Sequence, residues 1–376
     1  MDFHKVSEYL DSITGTLVPS NDCSVYIGHK EVFRHICGHS DESAGIPLSG
    51  MELYHMYSAT KPVTATAGMI LVERGLLSLD APVYDYLPEY RKLYVRDGDS
   101  VREAKTVLLV RHLFTMTGGF SYDMRDPSIL NMIKETDGVC PTRELARALA
   151  SSPLSFDPGT HWQYSLCHDI LAALVEVAAG MRFSDFAMKN IFEPTGMTSS
   201  CFHVTPEIRG RVAPMYTYND KKQKYERIGS GNSFVLGPGH DAGGAGIISD
   251  VHDMALFCDM LACGGEAATG ERILSSESVC AMRENRLSPE ILPDFDWSQY
   301  IGYGYGLGVR TLITKKYGAR SSLGEFGWAG AAGAYIMCDA DRRLSIFCTR
   351  HMHNNKEPQI SPVLRDLVCE AADGAM

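Results

Sequence analysis

The segment Met56–Gly68, MYSATKPVTATAG, sets a serine and a lysine three residues apart, Ser58 and Lys61. A serine hydroxyl becomes a nucleophile when a base takes its proton. A lysine can be that base only when neutral, and its ordinary pKa is about 10.4. Pro62 has no backbone N–H and clashes inside a helix, so it belongs in a first turn. A helix is therefore expected to begin at Ser58–Lys61, with those two residues on one face. Burial and the positive end of that helix both disfavour the ammonium. The free N–H groups at the helix start also suit a developing oxyanion. The same spacing fits a serine that only caps a helix, so further residues must decide.

Two other stretches carry suitable groups. In PGTHWQYSLCHDILAALVE, Tyr164 follows the loop formers Pro158 and Gly159 and precedes a helix. A phenol there could bond Ser58 and relay its proton to a leaving group; the plainer reading is a packed aromatic with one polar tip. In GEFGWAGAAGAYIMCDADRRLSIF, glycines and alanines leave a strand edge nearly bare. Bare backbone lets a substrate approach and accept an N–H bond, although close packing against a helix selects the same residues.

The elements that must hold these groups follow from periodicity. The first fifteen or so residues suit a helix. CSVYIGH and EVFRHICGH suit two strands joined by a tight turn. KPVTATAGMILVERG is apolar on nearly every side, which predicts a buried helix stopped at Gly75. TRELARALASS, CHDILAALVEVAAG and FSDFAMKNIFEPTG fit helical spacing. SDVHDMALFCDMLACGG predicts a helix capped by Ser249. YGYGLGVRTL, GAYIMCD and LSIFCTR read as strands, and SPVLRDLVCEAA as a last helix with Ser361 as cap and Pro362 in its first turn. Strands at both ends and helices between predict an α+β fold. Residues 1–78 and 245–376 would form the sheet domain, and 79–244 an inserted, mainly helical domain.

Composition narrows the function. The 376 residues are 45% hydrophobic, ample for a large core, and the formal net charge is −11. No Lys/Arg cluster is long enough to track a phosphate backbone, which argues against nucleic acid. No run of about 18 uncharged apolar residues occurs, which argues against a membrane span. Charges interrupt the opening residues, MDFHKVSEYLDSITG, and the 11 cysteines follow no regular framework. The expectation is a cytoplasmic protein with reduced thiols. His35, Cys37 and His39 alternate on a presumed strand, and His351 and His353 repeat the spacing. No fourth ligand is set by spacing, so these are taken as ordinary strand residues, with no metal and no cofactor.

Taken in order, the three stretches resemble the serine β-lactamase and penicillin-binding-protein superfamily, over most of the chain. VRHLFTMTGGFSY and YGYGLG are similar to further segments of that group. The likeness is greatest to family VIII carboxylesterases, which have Tyr-Ser in the second motif and Trp-x-Gly in the third. Here these are Tyr164-Ser165-Leu166, with Asp169 following, and Trp328-Ala329-Gly330. The resemblance implies a β-lactamase-like fold, an antiparallel sheet flanked by helices. It implies Ser58 as nucleophile, Lys61 as base and Tyr164 as their partner. The backbone N–H groups of Ser58 and Ala331 would form the oxyanion hole, and the substrate would be a small acyl compound.

Departures from the β-lactamase pattern have chemical meaning. A lysine in the third motif would meet a substrate carboxylate, whereas Trp328 offers an apolar face and one N–H. Leu166 cannot bond a side-chain amide. Both changes favour a neutral, partly apolar acyl ester. They also remove a cation that would help deprotonate Tyr164, which favours Lys61 as base. Trp328, Gly330, Tyr122, Tyr303 and Tyr305 are expected to line the substrate pocket, and Gly243 and Gly244 a turn near it. D-amino-acid amidase or peptidase, β-lactamase and acyltransferase activities share the fold. A non-catalytic binding protein is the reading of another class, opposed by the joint presence of Ser58, Lys61 and Tyr164. Oligomeric state is not readable from these residues.

Overall fold

The computed structural model describes residues 1–374. Its centre is an eight-stranded, wholly antiparallel sheet. The spatial order is Tyr303–Tyr305, Arg310–Leu312, Phe326–Gly327, Tyr335–Asp339, Leu344–Thr349, Ser20–Ile27, Lys30–Asp41 and Ile46–Pro47. Early and late strands thus meet where Ser20–Ile27 pairs with Leu344–Thr349, Cys23 opposite Cys348.

Side chains alternate across this sheet. Cys23, Val25, Tyr335, Met337, Ile346 and Cys348 pack with residues of the terminal helices His4–Ile13 and Glu357–Asp373. Ile336, Cys338 and Phe347 join the larger core on the other face, where the Val251–Ala262 helix lies against the central strands. The expectation of an α+β fold with an antiparallel sheet flanked by helices therefore holds.

Thr60–Glu73 is a helix buried from Thr60 through Leu71. A 3₁₀ turn, Tyr57–Ala59, precedes it, and Gly75 follows it in the left-handed region. The helix packs against Cys167–Ala179. Its threonines bind a neighbouring loop, Thr64 Oγ1 donating to the Gly243 carbonyl at 2.6 Å and Thr60 Oγ1 accepting from Ile247 N–H at 3.1 Å.

Several local expectations are corrected. Ser249 lies in a two-residue strand, and Asp250 caps the following helix by accepting the Asp253 N–H at 2.9 Å. The last helix starts at Glu357 with Pro358 in its first turn, which leaves Pro362 inside it and Ser361 bound to Arg350. FSDFAMKNIFEPTG is not one helix: a π turn at Met188–Phe192 separates Phe183–Ala187 from Glu193–Thr195. Pro194 lacks the N–H that would reach the Asn190 carbonyl, and the helix widens just before it.

The middle of the chain also carries strands. Tyr94–Asp97 pairs with Ser100–Glu103, and Met215–Asn219 with Lys224–Ile228. Met352–His353 joins the second hairpin in parallel. Tyr216 and Tyr218 are buried while Thr217 and Asn219 are half-buried, a period of two that the sequence reading passed over. Among the described residues, no helix is long and apolar enough to cross a membrane.

Candidate active site

Ser58 sits in the 3₁₀ turn at the entrance to the buried helix. The preceding residue, Tyr57, is held at φ 46°, a left-handed conformation uncommon for a non-glycine residue. Lys61 lies one turn further and is fully buried. Its Nζ is 3.2 Å from Ser58 Oγ, 3.0 Å from the Tyr122 hydroxyl and 2.7 Å from the Gly244 carbonyl. That set suits a neutral amine. One N–H goes to the carbonyl, which only accepts; one N–H and one lone pair remain for two hydroxyls. Burial pushes Lys61 down to about 7, against the opposing pull of Asp169 and Cys167.

The Tyr164 hydroxyl completes the group. It lies close enough to Ser58 for that hydroxyl to lower its pKa, and it accepts from Trp328 Nε1 at 3.2 Å. Its ring lies 4.5 Å from Lys61 Nζ and 5.3 Å from the Tyr122 ring. Burial raises the phenol well above its ordinary range, although Ser58 and Trp328 oppose the rise. Burial likewise raises Tyr122. Both phenols are therefore protonated around neutral pH.

Two glycines let backbone close on this centre. A Cβ on Gly244 would meet Asp169 Oδ2 at 2.6 Å and the Tyr122 hydroxyl at 3.1 Å. A Cβ on Gly330 would meet the Met56 carbonyl oxygen at 2.2 Å, so the third motif packs directly on the segment entering Ser58. Gly243 makes a similar approach to the His168 carbonyl. Gly330 N–H donates to the Ala334 carbonyl at 2.7 Å, which leaves Ala331 on an exposed turn.

The aromatic residues expected to line a pocket fall in different places. Tyr122 is at the centre, on Lys61, rather than on the rim. Trp328 is buried behind Tyr164. Tyr305 lies deeper, fully buried, edge-on to Trp328 at 5.2 Å. Tyr303 is not among these groups: its hydroxyl bonds Glu325 at 2.5 Å and Arg365 at 2.9 Å, within a buried ion-pair cluster around Arg310. Period-two spacing in YGY put Tyr303 and Tyr305 on one face, but it does not say how far each stands from Ser58.

Three further aromatic neighbours of Tyr164 and Tyr122 were not anticipated. Trp297 is half-buried and edge-on to Tyr164 at 5.1 Å. Trp162 lies 6.4 Å from Tyr164, so all three tryptophans gather around that phenol. Phe234 meets Tyr122 edge-on at 5.4 Å and Tyr57 at 6.2 Å. No local pattern marked Trp297 or Phe234; a long-range fold brings them in. Of the histidines and cysteines considered as ligands, His35 and Cys37 group with Asp11, their ligand atoms within 4.8 Å of one another, and His39 is not in that group. His351 bonds the Pro214 carbonyl and His353 the Tyr57 hydroxyl.

Comparison with known proteins gives the family and the fold. The Beta-lactamase family model matches residues 22–369. Protein Rv1367c of Mycobacterium tuberculosis is 31% identical over 319 residues, 80% of this chain and 78% of that protein. Esterase EstB of Burkholderia gladioli is 30% identical over 359 residues, 90% of this chain and 88% of the relative. The solved structure of EstCE1, described as a hydrolase with promiscuous acyltransferase activity, superimposes with a TM-score of 0.80 at 21% identity, covering 98% of this chain and 97% of that one.

Proposed function

This chain belongs to the Beta-lactamase family, as a serine hydrolase or acyltransferase of that fold, and within it we propose a carboxylesterase for neutral, partly apolar acyl esters. One observation carries the substrate class. Where a cation would hold a substrate carboxylate stands Trp328, buried, with its only N–H engaged by Tyr164. Apart from Lys61, the groups gathered about this centre are aromatic or backbone: Tyr57, Tyr122, Tyr164, Phe234, Trp297 and the Ala331 turn. None offers a charge to an ionised substrate, and all suit an apolar ester.

The contacts support the following reaction. Neutral Lys61 takes the Ser58 proton as Oγ attacks the acyl carbonyl carbon. The carbonyl oxygen gains negative charge, and the N–H groups of Ser58 and Ala331 receive it. On collapse the ester C–O bond breaks. The leaving alkoxide takes a proton from Tyr164, which is replenished from the Lys61 ammonium. The acyl group now sits on Ser58 Oγ. Water then adds to the acyl carbonyl, gives its proton to Lys61, and the acid departs as Ser58 regains its hydrogen. An alcohol in place of that water would complete an acyl transfer.

Hydrolysis of a short-chain p-nitrophenyl ester by wild type and Ser58→Ala tests this. Turnover in wild type and none in Ser58→Ala is the expected result. Equal turnover in both would return Ser58 to the role of a helix cap. Butyrate and a dicarboxylic half-ester of similar length should differ, with the neutral acyl group preferred; equal rates would remove the argument from Trp328.

A further inference from the structure

Ser58 and Ala331 lie on separate segments, and the segment carrying His353 binds both the residue before Ser58 and the Ala331 turn. His353 Nε2 is 3.3 Å from the hydroxyl of Tyr57, the residue before Ser58, and the two rings meet edge-on at 5.0 Å. The Ala331 carbonyl lies close enough to the ring to counter part of the fall in its pKa. A neutral imidazole has one nitrogen that can accept from the Tyr57 phenol. That phenol proton is shared with the Gly231 carbonyl, 3.1 Å away. Burial lowers the His353 pKa and favours the neutral ring.

The segment carrying His353 is built against the Ala331 turn. Asn355 Nδ2 donates to the Ala331 carbonyl at 2.9 Å, and Met352 N–H to the Ala332 carbonyl at 2.8 Å. Within HMHNNK, three non-glycine residues are left-handed: His351 at φ 45°, Asn354 at 51° and Lys356 at 57°. Such conformations persist where the surroundings over-determine them. Here the parallel pairing of Met352–His353 with Tyr216 and Thr217 holds the segment from its other edge. Nothing in the reaction described above uses His353, although it is half-buried against the side chain that precedes Ser58.

We propose that His353 is a positioning residue: it ties Tyr57 to the Ala331 turn and thereby sets the separation of the two oxyanion-hole N–H groups. This rests on the acyl-enzyme reading, since it assigns those N–H groups their role. His353 touches the groups that hold the donors and not the substrate. Its removal should therefore weaken stabilisation of the tetrahedral state while leaving ground-state binding nearly intact.

The test compares wild type, Ser58→Ala, His353→Ala and His353→Gln on one p-nitrophenyl ester, with thermal melts of each. Glutamine keeps one donor and one acceptor. His353→Ala should lower kcat by about tenfold to a hundredfold, the scale of a small misplacement at a reacting centre, while KM changes by less than about threefold. His353→Gln should recover most of the loss. Wild-type kcat in His353→Ala, a change in KM alone, or no recovery in His353→Gln would overturn the proposal. A wild type without esterase activity would sink the catalytic reading instead. In that event crystal structures of wild type and His353→Ala decide the brace, which predicts a displaced Ala331 turn; an unmoved turn refutes it.

Discussion

Trp328 donates its indole N–H to the Tyr164 hydroxyl at 3.2 Å, and the two rings stack with centroids 5.5 Å apart. The phenol oxygen thus accepts from Trp328 while its own proton is available to Ser58. A neutral donor stabilises a phenolate far less than a cation does, and burial raises the Tyr164 pKa further. Lys61, pushed down to about 7, has a lone pair to offer near neutral pH. The division of labour we propose on this ground is Lys61 as base and Tyr164 as proton carrier.

That division predicts different pH profiles for two variants. The active form needs neutral Lys61, whose fraction grows as pH rises through about 7. Wild-type kcat/KM should therefore climb to a plateau across that window. Tyr164→Phe should lose about a hundredfold in rate, a typical contribution of acid–base catalysis, and keep the same acid limb. Lys61→Met should lose more, and its residual rate should lack the limb. Stopped assays from pH 5 to 9 with matched ionic strength would show it. An acid limb that vanishes in Tyr164→Phe but persists in Lys61→Met would reverse the assignment.

Asp169 should tune that limb without touching the substrate. It is buried, accepts the Gly244 N–H at 3.3 Å, and its charge favours the Lys61 ammonium. Asp169→Asn keeps an acceptor for Gly244 and removes the charge. Lys61 should then lose its proton more readily, and the acid limb of kcat/KM should move to lower pH. A shift to higher pH, or none in a variant that melts like wild type, would exclude this coupling.

Much of the site was legible because its chemistry is local. Ser58 and Lys61 sit one helical turn apart, and Pro62 told where the turn begins. Tyr164 and Trp328 were marked by motifs that resemble a known family. Gly244 was legible only as a turn, since its carbonyl becomes a ligand of Lys61 through tertiary packing. Trp297 and Phe234 carry no local signal at all; a loop and an aromatic residue look alike wherever the fold sends them. The sheet strands were found from their β-branched and aromatic runs. The Met215–Asn219 hairpin escaped notice because its surroundings read as loop.

Gly330 offers a steric prediction. The Met56 carbonyl would lie 2.2 Å from an added Cβ, and Ala334 Cβ 3.3 Å from it. Backbone cannot yield there as a flexible side chain would. Gly330→Ala should force the third motif away from Ser58, at a cost of about 1–3 kcal/mol in stability. Activity should fall by about a hundredfold, because the Ala331 N–H moves with the motif. Melting curves and ester turnover on the same preparation would check both, and an alanine variant as active as wild type would contradict the close packing.

The buried pair Arg310–Glu325 predicts a stability effect separate from catalysis. Its N···O distance is 3.0 Å, and both side chains are essentially inaccessible. Tyr303 donates to Glu325, and the rings of Tyr300, Tyr303 and Tyr335 surround the guanidinium at 5.2–5.4 Å. Glu325→Gln removes one charge and leaves Arg310 buried without its counter-ion. Breaking such a pair from one side costs about 3–5 kcal/mol, because the surviving charge cannot return to water. Urea unfolding should show a loss of that size. Turnover per folded molecule, measured well below the new midpoint, should stay within a few-fold of wild type, since neither residue contacts Ser58, Lys61 or Tyr164. A large loss of turnover in fully folded Glu325→Gln would instead tie this cluster to the active site through Tyr300, whose ring lies 5.2 Å from that of Trp328.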